Sequence, residues 1–410
     1  MSTRTDAQQI IQSALAACLP DAAVRRALEG KKFSSGRIYL VAAGKAAWQM
    51  AQCAAQMLGD RLTAGVVVTK YDHSKGEIPH CTVYEGGHPV PDENSFRGTR
   101  AAMDLVENLT SEDTVVFLVS GGGSALFECP LVSGDDLARL TKDLLACGAD
   151  IVEMNTLRKR LSAVKGGKFA QLCAPAQVYA IVLSDILGDP LDMIASGPAY
   201  PDSSTKEDAW AIAEKYQLSL TDEMKKLLDV ETPKQLDNVE TVITGSVREL
   251  CTAAAQACQE LGYQPTILTD RLCCQAKEAG SFLASIAKSH ENADHSMAFL
   301  AGGETVVQLS GTGLGGRNQE LALAAAPGIA GMKDTVVFSV GSDGTDGPTD
   351  AAGGIVDGNT TEQLTSAGLS VHQVLAENDA YHALKAVDGL LFTGPTGTNV
   401  NDVAVVLIKR

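Results

Sequence analysis

The chain has 410 residues, 45% of them hydrophobic and 20% charged, so we expect a soluble globular protein with more than one hydrophobic core. It has 50 acidic and 33 basic residues and a formal net charge of −17, which argues against nucleic acid or an anionic membrane as its main partner, because either would require a basic surface. The 10 cysteines include no C-x-x-C pair, and no apolar run approaches the about 20 residues of a membrane span, so reduced thiols and a cytoplasmic location are expected.

Apolar strands and helical patterns alternate through the first half of the chain. The predicted helices cover residues 7–19, 45–58 and 93–108, and the predicted strands cover 38–42, 64–69, 81–84, 114–119 and 177–183. Strands that are apolar on both faces and separated by helices predict a Rossmann-like, doubly wound parallel sheet with helices on both sides.

The first strand is followed by Gly44 and Lys45. A glycine there permits a tight strand-to-helix turn, and a lysine in the first helical turn makes electrostatic sense if it binds an anion. A solvated surface lysine remains the alternative. A Walker A loop is excluded because residue 46 is alanine rather than serine or threonine.

A serine- and glycine-rich turn follows the strand 114–119. Its residues are Ser120, Gly121, Gly122, Gly123 and Ser124. Consecutive backbone N–H groups in such a turn form a nest for carboxylate or phosphate oxygens. A nucleophilic serine and a purely structural turn are the alternatives, but the G-x-S-x-G spacing of a nucleophile is missing.

Residues 154–184 contain no acidic side chain although the protein as a whole is acidic. We expect Arg158 or Lys165 in this basic island, beside Asn155, to face a bound anion. Downstream, Asp185 and Asp189 lie at a predicted strand end held by glycine and proline, which suits either Mg²⁺ binding or a general base. Ordinary turn capping is the alternative for both.

A second α/β series begins after a polar segment at 202–238. Its predicted strands cover 241–244, 264–268, 297–300, 305–309, 335–340 and 403–408. The short spacing between 297–300 and 305–309 predicts a hairpin and therefore a mixed sheet. We place the domain boundary at 238/239, giving an N-terminal domain of residues 1–238 and a C-terminal domain of residues 239–410.

Three polar loops stand out in this second half. Residues 311–316 contain G-x-G-x-x-G, which is a weak dinucleotide signal on its own, and Arg317 follows it at a helix start. Asp343 and Asp346 lie on a flexible loop after a strand and suit a hard cation. The loop 393–402 would bind a base or sugar, or simply turn the chain.

Together these loops supply two candidate anion-binding sites, a cluster of basic residues and carboxylates suited to a hard cation, and the sequence shows neither a set of zinc ligands nor a serine triad. Phosphoryl transfer from a Mg-nucleotide needs these groups. The motifs, in order, also closely resemble those of the class II glycerate kinases, which are glycerate 2-kinases with a C-terminal MOFRL domain and relatives often labelled hydroxypyruvate reductases. The segments that carry the resemblance are 41–47, 87–92, 120–126, 155–168, 184–190, 196–198, 302–304, 315–320, 341–347 and 394–399.

The resemblance implies two α/β domains with an active site between them, and the reaction of ATP and D-glycerate, with Mg²⁺, to give 2-phosphoglycerate. It implies that Lys45 and Arg317 clamp phosphates. Asp189 is the candidate base or Mg²⁺ ligand, with Asp343 and Asp346 as further metal candidates. The residues assigned to nucleotide binding are Gly313, Gly315, Gly316, Asn318, Gly394, Thr396, Thr398 and Asn399.

The alternative enzyme is a nicotinamide-dependent hydroxypyruvate reductase, which needs a true dinucleotide fingerprint followed by an acid about 20 residues later. After the strand 38–42 only Gly44 is in place. A non-catalytic sugar-acid sensor is the third hypothesis. In each case we expect small-molecule ligands only, and a monomer or homodimer.

Overall fold

The computed structural model describes residues 2–410. They divide into two compact units, which we call the N-terminal unit (23–183 and 189–244) and the C-terminal unit (2–22, 184–188 and 245–410). The chain thus crosses between the units more than once, whereas the sequence pattern predicts a single domain boundary at 238/239. No helix within 2–410 combines the length and apolarity needed to cross a membrane.

The strands are β1 Ile38–Ala43, β2 Leu62–Lys70, β3 Cys81–Gly86, β4 Thr114–Val119, β5 Gln177–Leu183, β6 Val239–Gly245, β7 Gln264–Leu272, β8 Met297–Gly303, β9 Thr335–Gly341, β10 Gly353–Asp357, β11 Leu390–Leu391 and β12 Asp402–Ile408.

The helices are α1 Thr3–Ala17, α2 Pro20–Leu28, α3 Ala47–Leu58, α4 Glu93–Val106, α5 Gly123–Leu126, α6 Gly134–Ala146, α7 Ile151–Arg160, α8 Lys168–Cys173, α9 Lys206–Lys215, α10 Asp222–Leu228, α11 Val247–Glu260, α12 Ala276–Ser289, α13 Arg317–Ala325, α14 Thr360–Ser366, α15 Val371–Ala376 and α16 Ala380–Ala386.

The N-terminal sheet has the strand order β3-β2-β1-β4-β5-β6. The ladders from β3 through to β5 are parallel, as the apolar strands separated by helices predict. Every residue of β1 and β4 is buried, and helices such as α3 and α4 pack on this sheet. The strand order reverses between β1 and β4, which places their carboxyl ends side by side at the sheet edge where ligands bind in open α/β folds.

The C-terminal sheet has the order β11-β10-β9-β12-β8-β7 and is mixed. Only β7 and β8 pair in parallel, while β12 lies between β8 and β9 and is antiparallel to both. Its core fills both faces, with α1 and α11 on one side and α12 and α13 on the other.

The predicted hairpin of strands 297–300 and 305–309 is wrong. The first part extends as β8, but the second forms no strand and makes a single bridge, between Val306 and Gln275. Val306 and Leu309 are 55% and 80% exposed, which shows that this apolar run is not packed into a sheet. The sheet is mixed because of β12 and β10 instead.

Candidate active site

The two glycine loops of the N-terminal unit meet at the carboxyl ends of β1 and β4. A Cβ atom built on Gly44 would lie 2.3 Å from the Ser120 Oγ, so only glycine allows this approach. The Lys45 N–H donates to the Gly121 carbonyl at 2.9 Å, and the Ala46 N–H donates to the Ser120 Oγ at 3.1 Å. These bonds fasten the two loops into one surface.

Lys45 belongs to that surface, although not as predicted. It lies in the turn before α3, which begins at Ala47, rather than in the first helical turn. Its side chain is exposed, and within residues 2–410 its ammonium has no hydrogen-bond or ion-pair partner. This position is compatible with the predicted anion contact, which stays a prediction.

A hydrogen-bonded chain of side chains ends at Ser124. The Ser196 Oγ donates to the Asn155 Oδ1 at 2.9 Å, and the Ser196 and Ser124 hydroxyls are 3.0 Å apart. Because the single proton of Ser196 is used on Asn155, Ser124 must donate to Ser196. The Ser124 hydroxyl oxygen can therefore still accept a hydrogen bond. Asn155 lies outside the loop and orients the Ser124 hydroxyl through Ser196.

The two basic residues expected to face an anion instead support the loop from beneath. Lys165 is fully buried, and its ammonium donates to the Ser124 carbonyl at 2.8 Å and the Phe127 carbonyl at 3.0 Å, with Glu128 3.4 Å away. Burial lowers the pKa of Lys165 to about 8. Arg158 also donates to the Ser124 carbonyl, at 3.0 Å. Direct anion contact by Lys165 does not fit this position, because its protons are used within the protein.

The loop between β5 and α9 separates the two aspartates that the sequence placed together. Asp185 belongs to the C-terminal unit, where its carbonyl accepts a hydrogen bond from the Asn401 amide at 3.3 Å. Asp189 belongs to the N-terminal unit and has a left-handed backbone with φ 53°. Its Oδ1 is buried and has no hydrogen-bond partner in residues 2–410, so Asp189 keeps an acceptor available for a metal ion or a proton.

In the C-terminal unit, Arg317 begins α13 and is held by two carboxylates. Its Nε and Nη2 donate to Asp402 at 2.6 and 3.0 Å, and its Nη1 donates to Glu304 at 2.8 Å. Burial opposes the charge, but these carboxylates outweigh it and raise the pKa of Arg317, so the guanidinium stays charged. The side chain is still 31% exposed, which leaves one side open to a ligand.

The side chain of Asn318 and the carboxylate of Asp346 do not fit the roles expected for them. The Asp346 carboxylate accepts the backbone N–H groups of Asn318 at 3.1 Å and Gln319 at 2.9 Å, so it caps α13, and burial raises its pKa to about 6. The Asn318 amide donates to Asp346 and accepts from the Ser339 hydroxyl at 2.6 Å. The Asn318 side chain is therefore used within the protein to hold the helix start in place, and both oxygens of Asp346 are already hydrogen-bonded there, in a buried position that disfavours a metal ion.

A cleft of about 780 Å³ with a mixed polar and apolar lining opens beside Arg317. The G-x-G-x-x-G segment forms one wall, where Gly311 and Gly313 pack so closely on Glu377 that a Cβ would lie 2.3 Å and 2.5 Å from its backbone. Gly315, Gly316 and Asp343 also line the cleft. The volume lies within the usual range of about 300–1,000 Å³ for small-molecule sites.

The predicted loop 394–399 lies next to Asp343. The Thr396 hydroxyl donates to the Ser342 carbonyl at 2.5 Å, and its N–H donates to the Asp343 carbonyl at 3.3 Å. A Cβ on Gly344 would clash with the Gly394 carbonyl, so the two loops are in contact. The Thr398 hydroxyl oxygen is buried with no partner in the described chain, and the Asn399 Oδ1 accepts the Asn401 N–H at 3.3 Å.

No group of three or more histidine, cysteine, aspartate or glutamate side chains within 2–410 is arranged to hold a metal ion. Mg²⁺ does not require one, because it commonly binds through one or two carboxylates, waters and substrate phosphates. The unpartnered oxygen of Asp189 fits that demand, and so does Asp343, whose Oδ1 accepts only the Thr345 N–H among the hydrogen bonds of the described chain. Asp346 does not.

Sequence reasoning assigned no role to Glu304, Asp402 or His88. Asp402 and Glu304 were visible in their motifs, but their function appears only once β8 and β12 pair and bring them to Arg317. His88 was visible in the segment 87–92, and its position near Lys45 depends on the order of the strands. No local pattern reports such contacts.

Two family models match the chain. One is described as a domain of unknown function (DUF4147) and matches residues 6–229, and the other is described as the MOFRL family and matches residues 297–402.

Curated relatives match over nearly the full length. A D-glycerate 2-kinase of Thermotoga maritima is 51% identical over 406 residues, which cover 98% of this chain and 97% of the relative. A glycerate 2-kinase of Pyrococcus horikoshii is 41% identical over 401 residues, covering 93% and 90%. A putative hydroxypyruvate reductase of Agrobacterium vitis is 37% identical over 426 residues, covering 100% and 95%.

Two solved structures share the fold. The crystal structure of a glycerate kinase from Thermotoga maritima superposes with a TM-score of 0.95 at 51% identity, covering 98% of this chain and 99% of that one. A crystal structure of a protein from Pyrococcus horikoshii gives a TM-score of 0.95 at 39% identity, covering 100% and 99%.

Proposed function

Because the chain belongs to the glycerate 2-kinase family with DUF4147 and MOFRL domains, we propose that it transfers the γ-phosphoryl group of ATP to the 2-hydroxyl of D-glycerate. The observation that carries the proposal is the 51% identity to a D-glycerate 2-kinase over 97% of that protein. The match favours a kinase over the hydroxypyruvate reductase, since no dinucleotide fingerprint follows β1.

The geometry of each unit suits a different part of this reaction. Glycerate is a small anion with hydroxyl groups, and the surface of Lys45 and the loop 120–124 offers an unpaired ammonium, backbone N–H groups and a serine oxygen. In our proposal the loop binds the carboxylate, with Asn155 and Arg158 orienting it, and Lys45 binds the phosphoryl group in transfer. A cation at that point stabilises charge as it develops in the transition state.

We assign ATP to the cleft beside Arg317. The cleft has a mixed polar and apolar lining, which includes the glycine segment 311–316 and the guanidinium-bearing Arg317 that Asp402 and Glu304 fix. An arginine fork recognises phosphate oxygens well, and one that is already held loses little freedom when the nucleotide binds. Gly394, Thr396, Thr398 and Asn399 are the candidates for contacts to the base or sugar.

When bound, Mg²⁺ neutralises phosphate charge, and Asp189 in the N-terminal unit and Asp343 in the C-terminal unit are alternative candidates to hold it. Asp189 is alternatively the acceptor for the proton of the attacking hydroxyl. Its unpartnered Oδ1 supports either role.

The proposal is tested by incubating the protein with Mg-ATP and D-glycerate and recording proton-coupled phosphorus NMR. A phosphate on the 2-hydroxyl couples to one carbon-bound proton and gives a doublet, whereas a phosphate on the 3-hydroxyl couples to two and gives a triplet. We expect the doublet. A triplet would contradict the 2-position, and oxidation of NADH with hydroxypyruvate in place of any new phosphate signal would contradict the kinase.

A further inference from the structure

His88 lies against the anion-binding loop without belonging to it. It follows β3, at the same sheet edge as the loops after β1 and β4. A Cβ atom built on Gly122 would lie 3.0 Å from the His88 Cδ2, 3.1 Å from its Nε2 and 3.1 Å from the Lys45 Cγ. The imidazole and the lysine stem therefore lie on the same face of Gly122, where an added methyl group would be in tight contact with both.

The segment that carries His88 is itself fixed. Asp92 caps α4 by accepting the Ser95 N–H at 3.0 Å, and it accepts the Tyr71 hydroxyl at 2.6 Å. A Cβ on Gly87 would lie 2.5 Å from the Val90 carbonyl. The imidazole is thus presented by a closed turn rather than by a free loop.

Neither ring nitrogen of His88 has a hydrogen-bond partner within the described chain, and the side chain is half-buried. A structural histidine in such a place usually hydrogen-bonds a neighbour, as His73 does at 2.9 Å from the Lys45 carbonyl. His88 therefore has polar atoms available at a surface already suited to an anionic substrate.

The groups around His88 are cationic. Burial, followed by Lys45, Lys70 and His73, lowers the pKa of His88 below its ordinary value. The imidazole is consequently neutral at neutral pH, and one nitrogen can accept a hydrogen bond. Lys and Arg cannot accept one, so His88 supplies what the neighbouring cations lack.

We propose that His88 binds the acceptor substrate by accepting the hydrogen bond of its attacking hydroxyl, next to the phosphoryl group held by Lys45. Because that hydroxyl has one proton, Asp189 is then left with its other candidate role, as a ligand of Mg²⁺. The inference rests on the proposed function and adds a residue to its acceptor site. The position follows from the shared contact on Gly122, because the hydroxyl that attacks must lie beside the group that Lys45 binds. An unpartnered acceptor there orients the oxygen for attack.

The kinetic test compares His88→Ala and His88→Gln with the wild type. We expect His88→Ala to lower kcat/KM for D-glycerate at least about tenfold while the KM for ATP stays unchanged, because one hydrogen bond and the alignment it gives are lost. His88→Gln keeps an acceptor and should recover part of the loss. The wild type should lose kcat/KM on the acid side as the imidazole protonates, and His88→Gln should lack that limb.

His80→Asn is the matched control. His80 is exposed and has φ 62°, a left-handed backbone that asparagine tolerates, so this variant should behave as the wild type. Thermal unfolding of every variant reports folding. A folded His88→Ala protein with wild-type kcat and KM for D-glycerate would overturn the inference, as would an acid limb that persists in His88→Gln.

A binding measurement separates this inference from the proposed function. We expect D-glycerate alone, without ATP, to shift the imidazole ¹⁵N resonances of His88 and not those of His80. If the protein binds D-glycerate in this way but forms no phosphoglycerate, the kinase proposal fails and the His88 contact stands. If it forms 2-phosphoglycerate but the His88 resonances do not respond, the His88 contact fails alone.

Discussion

At the scale of single residues, the two cations that we assign to phosphate binding are held in opposite ways. Lys45 is exposed and has no partner in the described chain, whereas Arg317 is fixed by Asp402 and Glu304. A held guanidinium presents a set geometry to a phosphate, while a lysine on a flexible stem can follow a group that moves during transfer.

Asp402→Asn tests whether fixing Arg317 matters. The amide keeps the shape of the side chain but removes the charge that the guanidinium fork needs, so we expect kcat/KM for ATP to fall about tenfold. Asp388→Asn is the control, because Asp388 is exposed and its φ of 56° suits asparagine. Steady-state kinetics that are the same for both variants would exclude a positioning role for Asp402.

Gly122→Ala tests the crowded face of the loop 120–124, to which we assign anion binding. Gly122 has φ 83°, and its added methyl would meet His88 and Lys45, whereas Gly148 has φ 75° and open space around its Cβ position. Both alanine variants should lose about 1–2 kcal/mol of unfolding free energy, since both force a left-handed alanine. Only Gly122→Ala should also lose D-glycerate turnover. Equal activity of the two variants in the same assay would show that the loop tolerates the methyl group.

Residue identity was predictable where a residue follows a strand and carries an unusual charge. Lys45, which comes shortly after β1, was singled out in this way, and its role stays a prediction. The same reasoning failed for Lys165 and Asn318, because a basic or amide side chain near a loop looks the same in sequence whether it faces a ligand or supports the loop from inside. Burial decides between the two, and burial depends on the folded neighbours.

At the scale of elements, the loop 120–124 is supported by a buried ion pair. Lys165 donates to the carbonyls of Ser124 and Phe127, and the fully buried Glu128 lies 3.4 Å away. The loop therefore depends on a buried charge whose hydrogen bonds go to protein carbonyls.

Lys165→Met should destabilise the protein by about 3–5 kcal/mol, because it removes the nearer of the two cations beside the buried Glu128 carboxylate and leaves only Arg158, 3.9 Å away. Adding Glu128→Gln should recover part of that loss, since the remaining charge is removed. Urea unfolding of the single and double variants measures both. A single variant as stable as the wild type would mean that the pair is not coupled to folding.

The same lysine predicts how stability depends on pH. Burial lowers the pKa of Lys165 from 10.5 to about 8, so between these values the unfolded chain holds the proton that the folded chain has lost. The free energy of unfolding from this group therefore rises as pH increases from about 8 towards 10.5. In urea titrations the wild type should show that rise relative to Lys165→Met/Glu128→Gln, and parallel pH profiles would contradict it.

Elements were predictable where they are long, apolar and buried. The strand 177–183 was predicted with the bounds it has, while β10 was missed because it begins with two glycines and is short. Gly353 is needed there because a Cβ would lie 2.0 Å from the Ser339 carbonyl, a contact that local propensity does not reveal. The run 305–309 was mistaken for a strand because its local sequence is apolar, although Val306 and Leu309 are exposed in the folded chain.

At the scale of the whole molecule, the sequence predicted two α/β assemblies, the first parallel and the second mixed, and the structure has both. It did not predict that 2–22 and 184–188 belong to the C-terminal unit. The packing of α1 on the C-terminal sheet, where Tyr263 donates to Asp6 at 2.7 Å, joins residues far apart in the chain. Such pairing is set by tertiary complementarity rather than by local pattern.

Lys45 and Arg317 lie in different units, and the proposal that one phosphoryl transfer uses both is tested most directly by the rate of 2-phosphoglycerate formation in Lys45→Met and Arg317→Met. Lys75→Met and Arg25→Met, at exposed positions, are the controls. We predict that each of the first two variants loses at least about 10²-fold in turnover while the controls do not. Wild-type turnover in either Lys45→Met or Arg317→Met would contradict a reaction that depends on both.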